Sequence, residues 1–334
     1  MMEPTRLSLR RQGLTILTTE GCNFSCVYCH QPHEPLHMGA ATVSSILSFV
    51  RRKVGQIDQL DISWFGGEPL LNLRAVRSLS AGFRDICSDA GIGLQGFMST
   101  NAFLLTPDLL AELVDFSIGR YQITFDGPED VHNRRRLAAN GRPTYAKLWE
   151  HLMSYRAVDR AFEVLVRVHV MPDSVEDARA FLQTLRGELG DDARFKITVA
   201  NVSHWGGPRD HAIPVFTDAQ PILRSLSAEI GPINRTIESN GACSAASPFD
   251  LVIRPDGTVV KCAHSLDLPE NQLGHLEHDG RFVYRSGAID RWLRGIVTGE
   301  QRALECPRDG IEEGRSGPLV QLRRGLAKAA QPVR

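Results

Sequence analysis

The chain has 334 residues, of which 42% are hydrophobic and 23% are charged. This balance is typical of globular proteins and excludes a disordered chain, and the formal charge of −1 gives no reason to expect nucleic acid or an anionic membrane as a partner. No apolar run reaches the roughly 18 residues of a membrane span, and the N-terminus has no signal-peptide pattern. We therefore expect a cytoplasmic protein.

Strand-like and helix-like patterns alternate over the first two thirds of the chain. The predicted strands cover 14–19, 59–67, 93–101, 119–128, 162–172 and 193–201, and the predicted helices cover 41–54, 75–91, 106–116, 145–158 and 174–190. This alternation predicts an α/β fold with a parallel sheet, closed or partly closed as a barrel. In such folds, sites gather where the carboxyl ends of the strands open into loops.

The alternation stops after residue 205. A helix is predicted over 217–230, and residues 251–262 have the pattern of a hairpin that turns at Asp256-Gly257. The length of the chain suggests about two domains. We therefore expect a first domain at 1–205, a smaller α+β domain at 206–310 and a basic C-terminal tail at 311–334.

Seven cysteines, an odd number with uneven spacing, favour metal ligation over a disulfide framework. Cys22, Cys26 and Cys29 form the pattern C-x3-C-x2-C after the first predicted strand. A structural zinc site usually has four protein ligands, which His30 or His33 would complete. An iron–sulfur cluster is the alternative, and the spacing alone favours neither.

The run C-x3-C-x-Y-C, which includes Tyr28, resembles the signature of the radical S-adenosylmethionine (SAM) superfamily. The resemblance implies a partial (β/α)6 barrel in which the three cysteines bind a [4Fe–4S] cluster. The fourth iron then binds SAM, which is cleaved to a 5′-deoxyadenosyl radical that removes a hydrogen atom. An electron donor such as flavodoxin or ferredoxin is the implied partner.

Further motifs at successive strand ends match that family and imply the SAM contacts. The residues concerned are Tyr28, Gly66, Gly67, Glu68, Pro69, Ser99, Asn101, Asp126, Arg136 and Arg167. Glu68 and the nearby main chain are expected to receive the SAM ammonium group, and Arg136 its carboxylate. For Arg167, a charge pointing out of the sheet is an equal alternative.

Three positions depart from the motifs of the family. Ala102 stands where a glycine is common, and Thr124 takes the place of a serine. Asn133 replaces an aspartate, so the charge of the family's motif is absent at that position.

The spacing C-x13-G-x4-C from Cys243 to Cys262 resembles the opening of the SPASM domain, with Cys306 as the one later cysteine. The shortened form, the twitch domain, implies one auxiliary [4Fe–4S] cluster on these three cysteines. The alternative is that they are buried thiols, a common fate of free cysteine. Cys87 lies in a helical pattern and is predicted to belong to the core.

The substrate implied by the resemblance is a ribosomally made precursor peptide. We expect oxidative cross-linking, because an auxiliary cluster can accept the electron that a net oxidation releases. An epimerase is an alternative, although it needs a thiol that returns a hydrogen atom. A small-molecule dehydrogenase, a sulfatase-maturase-like enzyme and a non-enzymatic iron–sulfur regulator are further alternatives.

Overall fold

The computed structural model describes residues 9–31, 33–207, 212–234 and 242–312. The strands in these ranges are β1 (Arg11–Leu17), β2 (Phe24–Cys26), β3 (Gln59–Phe65), β4 (Gly93–Thr100), β5 (Ile118–Phe125), β6 (Arg136–Ala138), β7 (Glu163–Val170), β8 (Phe195–Asn201), β9 (Asp250–Ile253), β10 (Thr258–Val260), β11 (Gln272–Leu276) and β12 (Phe282–Tyr284). Ten of them form one sheet in the order β12-β11-β10-β9-β1-β3-β4-β5-β7-β8, and β2 pairs with β6.

The helices in the described ranges pack on the outer face of the sheet or follow the last strands. They are α1 (Ala40–Arg51), α2 (Leu73–Ala90), α3 (Pro107–Asp115), α4 (Glu129–Arg135), α5 (Tyr145–Ser154), α6 (Val175–Leu189), α7 (Gln220–Ile230), α8 (Arg294–Thr298), α9 (Gln301–Glu305) and α10 (Pro307–Glu312). Thr106 caps α3, because its side chain accepts from the amide of Leu109 and Pro107 opens the helix. None of the described helices is both long and apolar enough to cross a bilayer.

Six consecutive parallel strands, β1-β3-β4-β5-β7-β8, form the predicted partial barrel. In the described residues β8 does not pair with β1, so the barrel is open. Along β7, Val164, Val166 and Val168 are fully buried in the core between sheet and helices. Because side chains alternate along a strand, Arg167 and His169 face the barrel interior.

The strands after residue 242 extend the same sheet. β9 lies parallel to β1, and β10, β11 and β12 follow in antiparallel order, with the predicted turn at Gly257 (φ 90°) between β9 and β10. The predicted hairpin is therefore confirmed, and it continues the barrel sheet instead of forming a sheet of its own. The domain boundary near 205 stays a prediction, and residues 313–334 of the predicted tail lie outside the described ranges.

Candidate active site

The first cysteine loop follows β1 at the end of the sheet where the parallel strands open. Cys26 is buried in β2, whereas Cys22 and Cys29 are half-buried. The amide of Phe24 donates to Cys22 Sγ at 3.3 Å, and Cys29 Sγ lies 3.1 Å from His33 Nε2. Burial raises the pKa of the Cys22 thiol to about 12. Its thiolate form therefore needs a compensating positive charge, such as a bound metal.

The GGEP turn (residues 66–69) follows β3 and packs against the main chain that leads into this loop. The amide of Glu68 donates to the carbonyl of Gly21 at 2.9 Å. A Cβ on Gly67 would overlap that same carbonyl, and Gly66 has a φ of 126°. Gly67 needs to be glycine because there is no space for a side chain, and Gly66 because of its backbone conformation. The turn and the cysteine loop are thus in direct main-chain contact.

The Glu68 carboxylate is fully buried and already has protein partners. Oε1 accepts from the amide of Leu70 at 3.0 Å and from Thr100 Oγ1 at 2.8 Å, and Oε2 accepts from the amide of Asn101 at 2.7 Å. These donors bury the carboxylate, and its contact with the SAM ammonium group stays a prediction. Through the same donors, Glu68 fixes the turn to the end of β4. Pro69 follows as the first residue of a short 3-10 helix.

Ser99 and Asn101 lie at the end of β4, beside the cysteine loop. Ser99 faces the barrel interior, since its neighbour Met98 is buried on the helix side. The side-chain amide of Asn101 donates to Asn23 Oδ1 at 2.7 Å and so ties β4 to the loop. Ala102 has a φ of 62°, a conformation that glycine adopts without strain. The turn therefore has the backbone conformation that suits glycine, although its residue here is alanine.

A short antiparallel pairing of β2 with β6 brings Arg136 to the cysteine loop. Cys26 and Arg136 are partners in this pairing. Arg136 Nη1 donates to the phenol oxygen of Tyr28 at 2.7 Å, and Tyr28 donates to Asp126 Oδ1 at 2.8 Å. Two strands of three residues carry no periodic signal, so the sequence does not predict this pairing.

His169, on β7, joins the same group of side chains from inside the barrel. Its Nδ1 lies 3.4 Å from Asp126 Oδ1 without hydrogen-bond alignment, and its ring meets that of Tyr28 edge-on at 5.0 Å. Burial opposes the charge of Asp126, but the nearby His169 and Arg136 outweigh it and lower the pKa of this carboxyl. Asp126 is therefore ionised at neutral pH.

Several buried polar atoms of this group lack a hydrogen-bond partner among the described residues. They are Asp126 Oδ2, Arg136 Nε, Arg167 Nε and His169 Nδ1. Each such atom costs about 1–3 kcal/mol if it stays unpaired, so a polar ligand or ordered water would stabilise this group. Arg167 points into the barrel, and the alternative of an outward charge is wrong because Val166 and Val168 occupy the outer face.

Thr124 and Asn133, the other two departures from the motifs of the family, each have a defined place in the structure. Thr124 on β5 is the register partner of Arg167, so it also faces the barrel interior. Asn133 Oδ1 accepts from the amides of Thr144 (3.0 Å) and Tyr145 (3.1 Å) and so holds the start of α5. An uncharged amide is sufficient for this contact.

Of the three later cysteines, Cys243 lies near Cys262 and near the segment that carries Cys306. The amide of Cys243 donates to the carbonyl of Leu304 at 2.7 Å, which places Cys243 beside the segment that carries Cys306. Burial and, to a lesser degree, the nearby Cys243 raise the pKa of Cys262. All three thiols are half-buried. Cys243 thus lies close to Cys262 and to the Cys306 segment, although long stretches of sequence separate them.

Asn271, which no sequence pattern singles out, builds the loop that carries Cys262. Its Oδ1 accepts from the amides of Lys261 (2.9 Å) and Cys262 (2.8 Å), and its Nδ2 donates to the carbonyls of Cys262 (2.8 Å) and Ser265 (2.7 Å). The side chain is fully buried, with all these bonds made within one loop. A lone asparagine after a Pro-Glu turn carries no sequence signal for such a role.

Comparison with protein families identifies the barrel. The model of the Radical SAM superfamily matches residues 16–185, just over half of the chain, and this range includes the first cysteine loop and the group around Tyr28. The chain belongs to the radical SAM superfamily. The fold and the enzyme class expected from the resemblance are therefore confirmed.

Curated relatives of this radical SAM enzyme include two PqqA peptide cyclases. The protein of Bradyrhizobium diazoefficiens is 26% identical over 215 residues, which cover 62% of this chain and 51% of the relative. The protein of Rhodopseudomonas palustris is 26% identical over 191 residues, which cover 56% of this chain and 46% of the relative. The chain spans about half the length of these relatives.

Solved structures of low sequence identity share the fold of this radical SAM enzyme. Native anSMEcpe with bound AdoMet matches with a TM-score of 0.63 and 17% identity, over 81% of this chain and 79% of that one. SuiB of Streptococcus suis bound to precursor peptide SuiA matches with a TM-score of 0.57 and 15% identity, over 87% and 66%. These likenesses extend well beyond the family match, into the strands after residue 242.

The residues around the first loop fit the cofactors of the superfamily, a [4Fe–4S] cluster and SAM. Three thiols share one loop, and buried polar atoms without partners lie beside it. Among the described residues, no three His, Cys, Asp or Glu side chains lie close enough to share one metal ion. The assignment of the individual cluster ligands therefore stays a prediction.

Proposed function

We propose that this radical SAM enzyme abstracts a hydrogen atom from a ribosomally made precursor peptide and oxidatively cross-links it. The observation that carries the proposal is the group of buried polar atoms without partners beside Tyr28, at the mouth of the barrel next to the cysteine loop. The relatives named as PqqA peptide cyclases, and the complex of SuiB with precursor peptide SuiA, support a peptide substrate.

In this proposal Cys22, Cys26 and Cys29 hold the first cluster, and the main-chain edge at Gly66 and Gly67 receives the SAM ammonium group. When bound, cluster and SAM supply the radical that removes the hydrogen atom. The two glycines let the turn pack directly against the main chain that leads into the cysteine loop, which brings the turn beside the proposed cluster.

In this proposal, Arg136 binds the carboxylate of SAM. Its guanidinium is buried and held at one end by Tyr28, while its Nε has no partner among the described residues. Burial opposes the charge, but the surrounding Cys26, Tyr28 and Asp126 together raise the pKa of Arg136. A fixed cation of this kind suits a carboxylate, because charge-assisted hydrogen bonds are the strong ones. Ser99, Asn101 and Arg167 complete the proposed pocket from β4 and β7.

The contact of Arg136 with SAM can be tested by binding. We expect Arg136→Gln to weaken SAM binding about 10- to 100-fold, as expected for one charge-assisted contact. Arg134→Gln is the matched control, since Arg134 is exposed on α4 and pairs with Asp130 at the surface. Equal SAM affinity of the two variants, measured by calorimetry on reconstituted protein, would argue against the assignment.

Cys243, Cys262 and Cys306 are proposed to hold an auxiliary cluster that accepts the electron of the oxidation. An epimerase would need a thiol that returns a hydrogen atom to the substrate. Cys87, the one described cysteine outside the two sets, is packed in the core at 2% exposure and cannot reach a substrate. This position favours oxidation over epimerisation.

Iron content and SAM cleavage test the two cysteine sets separately. Replacing Cys22, Cys26 and Cys29 with Ala should remove about four irons per chain, one cube, and abolish cleavage of SAM. Replacing Cys243, Cys262 and Cys306 should also remove about four irons but leave uncoupled cleavage to 5′-deoxyadenosine intact. Wild-type protein that never exceeds about four irons after reconstitution would refute the auxiliary cluster.

The type of reaction is read from the mass of the peptide product. Reconstituted enzyme, SAM, an electron donor such as flavodoxin or ferredoxin, and candidate precursor peptides would be incubated without oxygen. Loss of two hydrogen atoms indicates the oxidative cross-link. An unchanged mass with altered stereochemistry indicates an epimerase, and oxidation of a small molecule in place of any peptide would overturn the proposed substrate.

A further inference from the structure

A cavity of about 270 Å³ opens between the two cysteine loops. His30, directly after Cys29, and His264, two residues after Cys262, lie side by side in its wall. Trp205 and Arg308 complete the rim. We call this cavity the inter-loop cleft. The cleft lies between the two proposed cluster sites. The part of a substrate that gives up a hydrogen atom and an electron must come to this place.

Aromatic rings form a continuous wall of the inter-loop cleft, with His264 at its centre. The ring of His264 lies 4.9 Å from that of His30 and 5.5 Å from that of Trp205, and both pairs are tilted by less than 40°. Phe65, at the end of β3, meets His264 at 5.9 Å with its edge. These distances are in the range of favourable aromatic pairs. The wall is thus preformed before any substrate binds.

Fixed polar contacts hold this wall in place. His264 Nδ1 lies 3.0 Å from His30 Nε2, within hydrogen-bond distance across the two loops. The side-chain amide of Gln31 donates to the carbonyl of Ala263 at 3.2 Å and forms a second cross-link between the loops. Trp205 nevertheless keeps 44% of its surface exposed. A large exposed ring on a preformed wall is typical of a contact surface for a ligand.

We propose that the inter-loop cleft binds one aromatic side chain of the peptide, stacked against Trp205 and His264. This inference rests on the proposed function and names the class of residue that the enzyme recognises. The volume is just below the roughly 300 Å³ at which pockets for whole small molecules begin, so the cleft suits a single side chain. A planar ring gains an aromatic contact on such a wall that a saturated side chain of the same shape does not.

Three short peptides test this preference on the reconstituted holoenzyme. They are acetylated and amidated tripeptides with glycine on both sides of phenylalanine, cyclohexylalanine or lysine, and calorimetry gives their dissociation constants. We expect the phenylalanine peptide to bind about 3- to 10-fold more tightly than the cyclohexylalanine peptide. Trp205→Leu and His264→Ala should each reduce this ratio toward one. Tyr284→Leu, which changes an exposed ring outside the cleft, should leave it unchanged.

Equal binding of phenylalanine and cyclohexylalanine peptides, tighter binding of the lysine peptide, or no binding of any of them would overturn the inference. So would a preference that survives both Trp205→Leu and His264→Ala. Uncoupled formation of 5′-deoxyadenosine is measured in the same preparations. If 5′-deoxyadenosine forms but the aromatic peptide is not preferred, the proposed role of the cleft is rejected and the proposed function is not. If wild-type enzyme prefers the phenylalanine peptide but forms no 5′-deoxyadenosine, the proposed function is rejected and the proposed role of the cleft is not.

Discussion

Arg254, in the hairpin between β9 and β10, forms a two-point ion pair with the fully buried Glu20. The guanidinium Nε lies 2.7 Å from Oε1, and Nη2 lies 2.9 Å from Oε2. Glu20 immediately precedes the first cysteine loop, whereas Arg254 lies in the turn between the two strands that lead to Cys262. The pair therefore locks the C-terminal strands to the loop of the first cysteine set.

Removal of Arg254 should destabilise the protein, because it leaves the buried carboxylate of Glu20 without its partner. We expect Arg254→Ala to lower the free energy of unfolding by about 2–3 kcal/mol, the low end for a broken buried pair, since Arg254 is itself partly exposed. Urea unfolding measures the change. Arg10→Ala removes the exposed pair with Asp58 and should have no measurable effect. Equal midpoints for the two variants would contradict the prediction.

Gly67 should tolerate no side chain, because an added Cβ meets the main chain of Gly21. We expect Gly67→Ala to cost about 1–3 kcal/mol through the forced separation of the GGEP turn from the cysteine loop. It should also lower SAM affinity. Gly119→Ala is the control, since its nearest neighbouring atom would lie 3.9 Å from the new Cβ. Similar stability of both variants in urea would show that the close approach is not required.

His132 is buried in its neutral form. Thr144 Oγ1 donates its one proton to the carbonyl of Arg136 at 2.5 Å. It can therefore only accept from His132, whose Nε2 donates to it at 3.2 Å. Nδ1 has no partner among the described residues. Burial, assisted by the nearby Arg136, lowers the pKa of His132 to about 3. The unfolded chain takes up this proton near pH 6.5 and the folded chain does not, so stability falls as the pH drops below about 6.5.

Replacement of this histidine should remove part of the acid sensitivity. Between about pH 7 and pH 5, we expect the wild type to lose roughly 2 kcal/mol more stability than His132→Gln. Urea unfolding at each pH measures the loss. His278→Gln, which replaces an exposed histidine, should behave like the wild type. The prediction fails if His132→Gln shows the same pH dependence as the wild type.

Asn271 should act as the residue that positions Cys262. We expect Asn271→Ala to cost at least about 2 kcal/mol, because several buried main-chain groups lose their partner. The thiol of Cys262 should react faster with iodoacetamide in metal-free protein, as read by mass spectrometry. Asn140→Ala, at an exposed turn where Asn140 accepts from the amide of Arg142, is the control. An unchanged alkylation rate in Asn271→Ala would limit this residue to a role in stability.

Local sequence patterns are sufficient to predict the alternating elements and the positions of the motifs at strand ends. Periods of two and of about 3.6 residues are local properties, so the strands and helices before residue 205 lie close to their predicted bounds. The C-x3-C-x-Y-C run and the GGEP turn were recognisable because their chemistry requires fixed residue types at fixed spacing. Local order in the chain is sufficient for both.

The contacts between these motifs depend on the packing of distant segments. The tertiary structure placed Arg136 beside Cys26 through two short strands, turned Arg167 into the barrel and occupied the Glu68 carboxylate with protein donors. It also joined Arg254 to Glu20 across more than two hundred residues of sequence. Each of these contacts depends on strand register and on the burial of a particular side chain. Such properties arise when distant segments pack, so no local pattern in the sequence encodes them.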